Sequence, residues 1–219
     1  MKTMIFLAMN LLLAWATYGQ DGQFENGMAK GLALLEEAER TRDFGPAAAL
    51  FERISEAEPQ RWQPAYHLAY CHMMLAGEAM EEKEGGALSA HLDKAQAALD
   101  RALALAPQES EIVALQGYVY TGRIWKAPMV NGAKYSPKAS AAYAKAIELN
   151  DENPRAYHLM GMHLFYTPSF FGGGAEAALP YLEKAAARFD AGKKTGEYGP
   201  VWGAFFNQEL LQQAKQATE

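Results

Sequence analysis

Four stretches of this chain repeat one pattern in one register. Alanine is followed four positions on by a large apolar residue, three further by a small or apolar one, and five beyond that by proline or aspartate. The copies are Ala47-Phe51-Ile54-Pro59, Ala95-Leu99-Ala102-Pro107, Ala139-Tyr143-Ala146-Asp151 and Ala178-Leu182-Ala185-Asp190. Spacing of i, i+4 and i+7 puts the first three residues of each copy on one helical face, and the fourth marks where that helix stops. Each copy is preceded by another segment of helical periodicity. In Ser136–Gly174 this alternation is plainest: one helix, a break at Asn150–Pro154, a second helix with Tyr157, Met160, Gly161 and Leu164 at helical spacing, then a glycine-rich stop. Pro154 suits the first turn of that second helix, where no N–H is needed.

The pattern predicts helix pairs at Gly27–Arg42 with Pro46–Glu58, Gln63–Ala76 with Ser89–Ala106, Glu109–Arg123 with Pro137–Leu149, and Arg155–Tyr166 with Ala175–Phe189. With Gly117 and Tyr120, Tyr157 and Gly161, and the alanine–large residue–proline markers, the chain resembles the tetratricopeptide repeat (TPR) family, whose unit of about 34 residues is a helix–turn–helix. The resemblance covers about Asn26 to Asp190. It departs from the family at Asp151 and Asp190, where proline is usual, and at Leu35, where the first unit lacks the usual glycine. The resemblance implies an all-α, right-handed α-solenoid of four TPR-like helix pairs. Residues 20–190 form the array, and 191–219 hold a polar linker and a C-terminal capping helix, Val201–Ala217. Trp202, Phe206, Leu210 and Ala214 give that cap an apolar stripe, which the last pair of an array needs.

Successive large residues stand 48, 44 and 39 positions apart, longer steps than the family repeat. The extra residues fall inside the units, at Gly77–Ser89, Ile124–Ser136 and Thr167–Gly174. Each carries turn formers or helix breakers, so three long loops are expected along one rim. In the last of them Phe170 and Phe171 are expected to fold back on the preceding helix.

Residues 1–19 read as a secretory signal peptide: Lys2, an apolar run over Ile5–Ala16, then Thr17-Tyr18-Gly19 as a small-residue cleavage site. The expected location is periplasmic or secreted, with no membrane span in the mature protein. The net charge is −6 with no basic block, which argues against nucleic acid as a partner. One cysteine, Cys71, permits neither an internal disulfide nor a cysteine-based zinc cluster.

A TPR-like array implies a concave side lined by first helices. In the third and fourth units that assigns Tyr118, Thr121, Arg155, His158, Met162, Phe165 and Tyr166 to the groove. In the second unit two registers compete. One puts Ala69 at the close helix crossing and sends Tyr66, Tyr70, Met73 and Met74 to the groove. The other sends His67, Cys71 and Met74 there. The first is preferred because Ala69 fits a close crossing and Tyr70 does not. Phe170, on the rim, completes the binding set. Aromatic, methionine and arginine side chains are interface anchors, so the expected function is a non-catalytic adaptor for a protein or extended peptide. The alternative is a hydrolase or metal-dependent enzyme using the groove histidines. Against it, His67 and His72, like His158 and His163, are five residues apart and share no helical face. No H-E-x-x-H, G-x-S-x-G or P-loop motif occurs. No catalytic residue, metal site or cofactor is expected.

Overall fold

The computed structural model describes the backbone of residues 2–192 and 196–219, and side chains from Gly22 onward. The side chains of the predicted leader, residues 1–19, lie outside the described residues. Among the described residues there are nine α-helices and no strand. They pair in chain order: α1 (Lys2–Thr41) with α2 (Gly45–Ala57), α3 (Trp62–Glu81) with α4 (Gly85–Leu105), α5 (Ser110–Trp125) with α6 (Pro128–Leu149), and α7 (Pro154–Tyr166) with α8 (Ala175–Asp190). α9 (Ala204–Thr218) packs on α8. The first helices of successive pairs also touch directly, α3 against α5 and α5 against α7. They form one face of the stack.

The repeated large residue is the fulcrum of each pair. Phe51, Leu99, Tyr143 and Leu182 are all fully buried. Opposite three of them the first helix carries glycine. A Cβ built on Gly31 would stand 2.7 Å from the Phe51 ring, one on Gly117 2.4 Å from Tyr143, and one on Gly161 2.7 Å from Leu182. The first unit therefore does have the family's glycine. It is Gly31, and Leu35 is a neighbouring core residue one turn on. In the second unit Ala69 stands fully buried, as do Cys71 and Ala76.

Two of the three expected loops are helix instead. α3 runs on to Glu81 and α4 begins at Gly85; α5 ends at Trp125 and α6 begins at Pro128, with Pro137 inside it. Tertiary contacts outweigh the breaker residues here. Ala76, Ala79 and Leu88 bury themselves in the lengthened α3–α4 pair. In the α5–α6 pair, Asn131 Nδ2 donates to the Arg123 carbonyl at 2.7 Å, and Tyr135 stacks on Tyr120 with ring centroids 6.2 Å apart. The third segment, Thr167–Gly174, is a true loop with one 3-10 turn, Ser169–Phe171. Gly172 and Gly174 there adopt φ of 83° and 98°, which side chains disfavour. Phe170 and Phe171 do not fold back. Their rings meet each other at 5.2 Å and both are exposed.

The pairs are joined by a buried polar knot. Ser110 Oγ donates to the Ala146 carbonyl at 2.8 Å, and Asn153 Nδ2 donates to Ser110 Oγ at 2.8 Å. Asn153 Oδ1 caps α7 by accepting from the N–H of Arg155 at 2.9 Å and of Ala156 at 3.3 Å. α5, α6 and α7 thus meet in fixed register.

Two glycines give opposite predictions. Gly117→Leu forces the Tyr143 ring out of a crossing already pinned by its hydroxyl on Thr121 Oγ1 at 2.9 Å, and costs at least about 1–3 kcal/mol. Gly77→Ala meets nothing within 4 Å and gains about 0.5–1 kcal/mol by limiting the unfolded chain. Chemical denaturation of both variants checks the sign of each.

Candidate functional site

Residues 196–203, read from sequence as the end of a polar linker and the start of the capping helix, return across the face made by the first helices. The Tyr198 ring meets Phe24 of α1 edge-on, with centroids 5.3 Å apart. His67 Nε2 of α3 donates to the Tyr198 carbonyl at 2.9 Å. Trp202 stacks flat on Tyr70 of α3, centroids 4.4 Å apart and planes inclined by 11°. This strap is held from α7 by Arg155, whose Nη1 donates to the Trp202 carbonyl at 3.2 Å.

Arg155 can hold that position because Glu111 of α5 neutralises it. Nε reaches Oε1 and Oε2 at 3.0 and 2.9 Å, and Nη2 reaches Oε1 at 2.7 Å. The two side chains retain 5% and 1% of their exposure, so this is a desolvated, forked ion pair.

Below the strap the first helices leave a groove of about 200 Å³. α3 supplies Tyr70 and Met74, α5 Tyr118, and α7 His158, Leu159, Met162 and Tyr166. Trp202 closes one end, and α9 supplies Phe206, Glu209, Leu210 and Gln213. The lining is aromatic rings, thioethers and aliphatic groups, with few polar atoms. Tyr70 donates its hydroxyl to Glu39 Oε1 at 2.6 Å. Burial and the facing Glu39 carboxylate push the Tyr70 phenol well up, and burial does the same to Tyr118, so both stay protonated.

His158 is the groove's most specific group. Asn207 of α9 donates from Nδ2 to the Leu182 carbonyl at 3.0 Å, which fixes its Oδ1 as the atom facing His158 Nδ1 at 3.2 Å. Nδ1 therefore carries the proton, and Nε2 of this groove-lining ring is left with a bare lone pair. Burial lowers the His158 pKa to about 4, so the imidazole is neutral at physiological pH.

Of the residues singled out from sequence, Tyr70, Met74, Tyr118, His158, Met162 and Tyr166 line this groove. The others do not. Tyr66 is fully buried, its ring edge-on to Trp62 and set against the strap's Trp202. Thr121 faces Tyr143 of its own pair and His163 of the next. Arg155 is consumed by Glu111 and the strap. Phe165 packs towards Ala178, Leu182, Leu210 and Ala214 of α8 and α9. Phe170 stands exposed on the rim loop. Sequence reasoning missed Trp202, Phe206, Glu209, Leu210 and Gln213 as lining. The predicted apolar stripe was the signal for Trp202, Phe206 and Leu210, but it was read as packing for a cap. The helix begins at Ala204 and not at Val201, so Trp202 belongs to the strap, and Glu209 and Gln213 had no such signal.

No family model matches the sequence, and no curated sequence does. Among solved structures, the chain is similar to the HusA haemophore from Porphyromonas gingivalis. The two are 32% identical, with a TM-score of 0.75, over 88% of this chain and 92% of that one. The chain belongs to the HusA haemophore family. It is also similar to a thermophilic TPR protein of Thermus thermophilus, at 16% identity and a TM-score of 0.60 over 89% of this chain and 82% of that one. That likeness shows the fold, which is TPR-like.

Two predictions concern this architecture. Arg155→Ala leaves the Glu111 carboxylate buried and unpaired, and is expected to cost about 3–5 kcal/mol, read as a large drop in melting temperature. It is a stability variant, not the clean binding variant its sequence position implied. The second concerns acid. Burial depresses the pKa of His67, His72 and His158 to about 4, and lowers those of His91 and His163. The unfolded chain then binds more protons than the folded one below its histidine pKa of about 6.5. The histidine contribution is complete above that pH and is lost progressively as pH falls towards 4. Melting curves taken at half-unit steps should fall steadily across that window.

Proposed function

We propose that this chain binds haem, or a closely related metallated tetrapyrrole, as cargo in the groove between the first helices and α9. The observation that carries the reading is His158: a groove-lining, neutral imidazole whose Nδ1–H is held by Asn207, which leaves its Nε2 without a proton. An acceptor on one ring nitrogen orients the other towards a metal, and histidine is a common axial ligand of haem iron. Tyr70, Tyr118, Trp202 and Phe206 offer ring faces and edges to a planar macrocycle. The similarity to a haemophore supports the same class of ligand.

The groove's 200 Å³ is below the roughly 300–1,000 Å³ of pockets that enclose a small ligand. A porphyrin would be gripped by one part and left open on the rest, which suits a protein that takes up and hands over its cargo. Glu209 and Gln213 at the edge are polar groups for the exposed side. An extended peptide on this face would have to displace Tyr198 and Trp202, which are stacked and hydrogen-bonded in place, so a protein or peptide ligand here is the weaker reading.

The role is non-catalytic. Cys71 is buried and burial pushes its thiol well up, leaving no thiolate to attack. The apolar run behind Lys2 supports an exported, periplasmic or secreted setting, where a haem carrier has access to its cargo. Among the described residues no helix is long and apolar enough to cross a membrane.

Titration with haemin, followed at the Soret band, tests the proposal. Saturable binding is expected. His158→Ala should weaken it at least tenfold, about 1.4 kcal/mol, and shift the Soret maximum, while metal-free protoporphyrin binds wild type and variant alike. Phe206→Ala should weaken both porphyrins. Haemin binding that fails to saturate overturns the haem reading. Saturable binding with an unchanged spectrum in His158→Ala overturns the ligand assignment.

A further inference from the structure

α3 and α4 hold a second pair of facing imidazoles, unconnected with the groove. His72 lies two residues from Tyr70, and so on the far side of α3. There it meets His91 of α4, with Nδ1 3.2 Å from Nδ1, ring centroids 5.4 Å apart and planes inclined by 35°. His72 is buried and His91 is half-buried. Sequence spacing concealed the pair, because it set His72 beside His67 on one helix and not across from His91 on the next.

We propose that His72 and His91 form a binding site for a borderline-soft divalent cation of the zinc class, ligated by the two Nδ1 atoms and completed by water. Two imidazole nitrogens, each about 2.0–2.1 Å from one tetrahedral zinc, stand about 3.3–3.4 Å apart. The observed 3.2 Å is already close to that edge, so the two nitrogens keep their separation and the rings need only turn to aim both lone pairs at the cation. In the metal-free pair one ring carries its proton on Nδ1 and donates it to the other. On binding, that proton moves to Nε2 of the same ring, and both Nδ1 lone pairs face the metal. No net proton is released.

The surroundings permit this. Both rings are held neutral, chiefly by burial, so neither needs deprotonation at pH 7. The Lys94 ammonium acts on both and opposes a cation, while the Glu78 carboxylate acts on His91 and offsets it. Among the described residues no cluster of three or more His, Cys, Asp or Glu is placed to hold a metal. The chain thus supplies two ligands, leaves the remaining positions open and exchanges its cation readily. Imidazole pairs favour zinc, copper and nickel over magnesium or calcium.

Zn(II) is the probe. Calorimetric titration of the full chain, free of haem, should show one Zn(II) bound with a dissociation constant below about 1 mM. Excess Zn(II) should raise the melting temperature by mass action. His72→Gln and His91→Gln should each weaken Zn(II) at least tenfold, with His163→Gln unchanged. Nitrogen NMR of the wild type gives an arm that needs no variant: Zn(II) should move the Nδ1 resonances of His72 and His91 and leave those of His67 and His158 in place. Absence of saturable binding, equal binding in both glutamine variants and the wild type, or Nδ1 shifts confined to other histidines overturns the site. Because the haem titration does not touch this pair, failure of either reading leaves the other standing.

Discussion

The forked ion pair between Arg155 and Glu111 is the interaction on which the arrangement of this molecule turns. A guanidinium at 5% exposure is tolerated only if its charge is met and its donors are filled. Glu111 meets the charge, and the Trp202 carbonyl takes a further N–H. One residue of α7 therefore fixes α5 on one side and the returning strap on the other. With Asn153 capping α7 and reaching Ser110, the contact also sets the register between the third and fourth pairs. The strap is held there by Arg155 together with His67, Tyr70 and Phe24.

Within each pair a different constraint governs. A glycine or alanine on the first helix faces a large side chain on the second, and the distance between helix axes follows from that choice. Gly117 against Tyr143 is the tightest case. The Tyr143 hydroxyl, bonded to Thr121, makes the ring a strut between the two helices as well as a filler. α3, α5 and α7 share one side, and the groove is the space between them and α9, which packs on α8.

The groove's chemistry follows from its walls. Tyr70 is stacked by Trp202 and its hydroxyl is tied to Glu39, so that ring is fixed in place. His158 is turned by Asn207, a residue from the last helix, so a side chain on the fourth pair acquires its tautomer from the cap. The candidate site is complete only when the C terminus has folded back. α9 is therefore part of the candidate site's wall.

The sequence by itself determined the helix pairs and their order. The alanine–large–small pattern is a local, periodic signal, and periodicity survives without knowledge of the rest of the fold. It also marked Tyr70, Tyr118, His158, Met162 and Tyr166, because groove positions on a first helix follow from its register. It misjudged the insertions at Gly77–Ser89 and Ile124–Ser136, where glycine, proline and asparagine argued for loops. Burial of Ala79 and Leu88 and the Tyr135–Tyr120 stack kept those residues helical. Only the tertiary structure decided that Arg155 is spent on Glu111, that residues after Gly196 cross the face to reach His67 and Tyr70, and that Trp202 and Phe206 are walls of the groove. These are contacts between residues 44 to 132 positions apart. No periodicity reports such pairings, because they are fixed by charge neutralisation and ring stacking once the helices have been brought together.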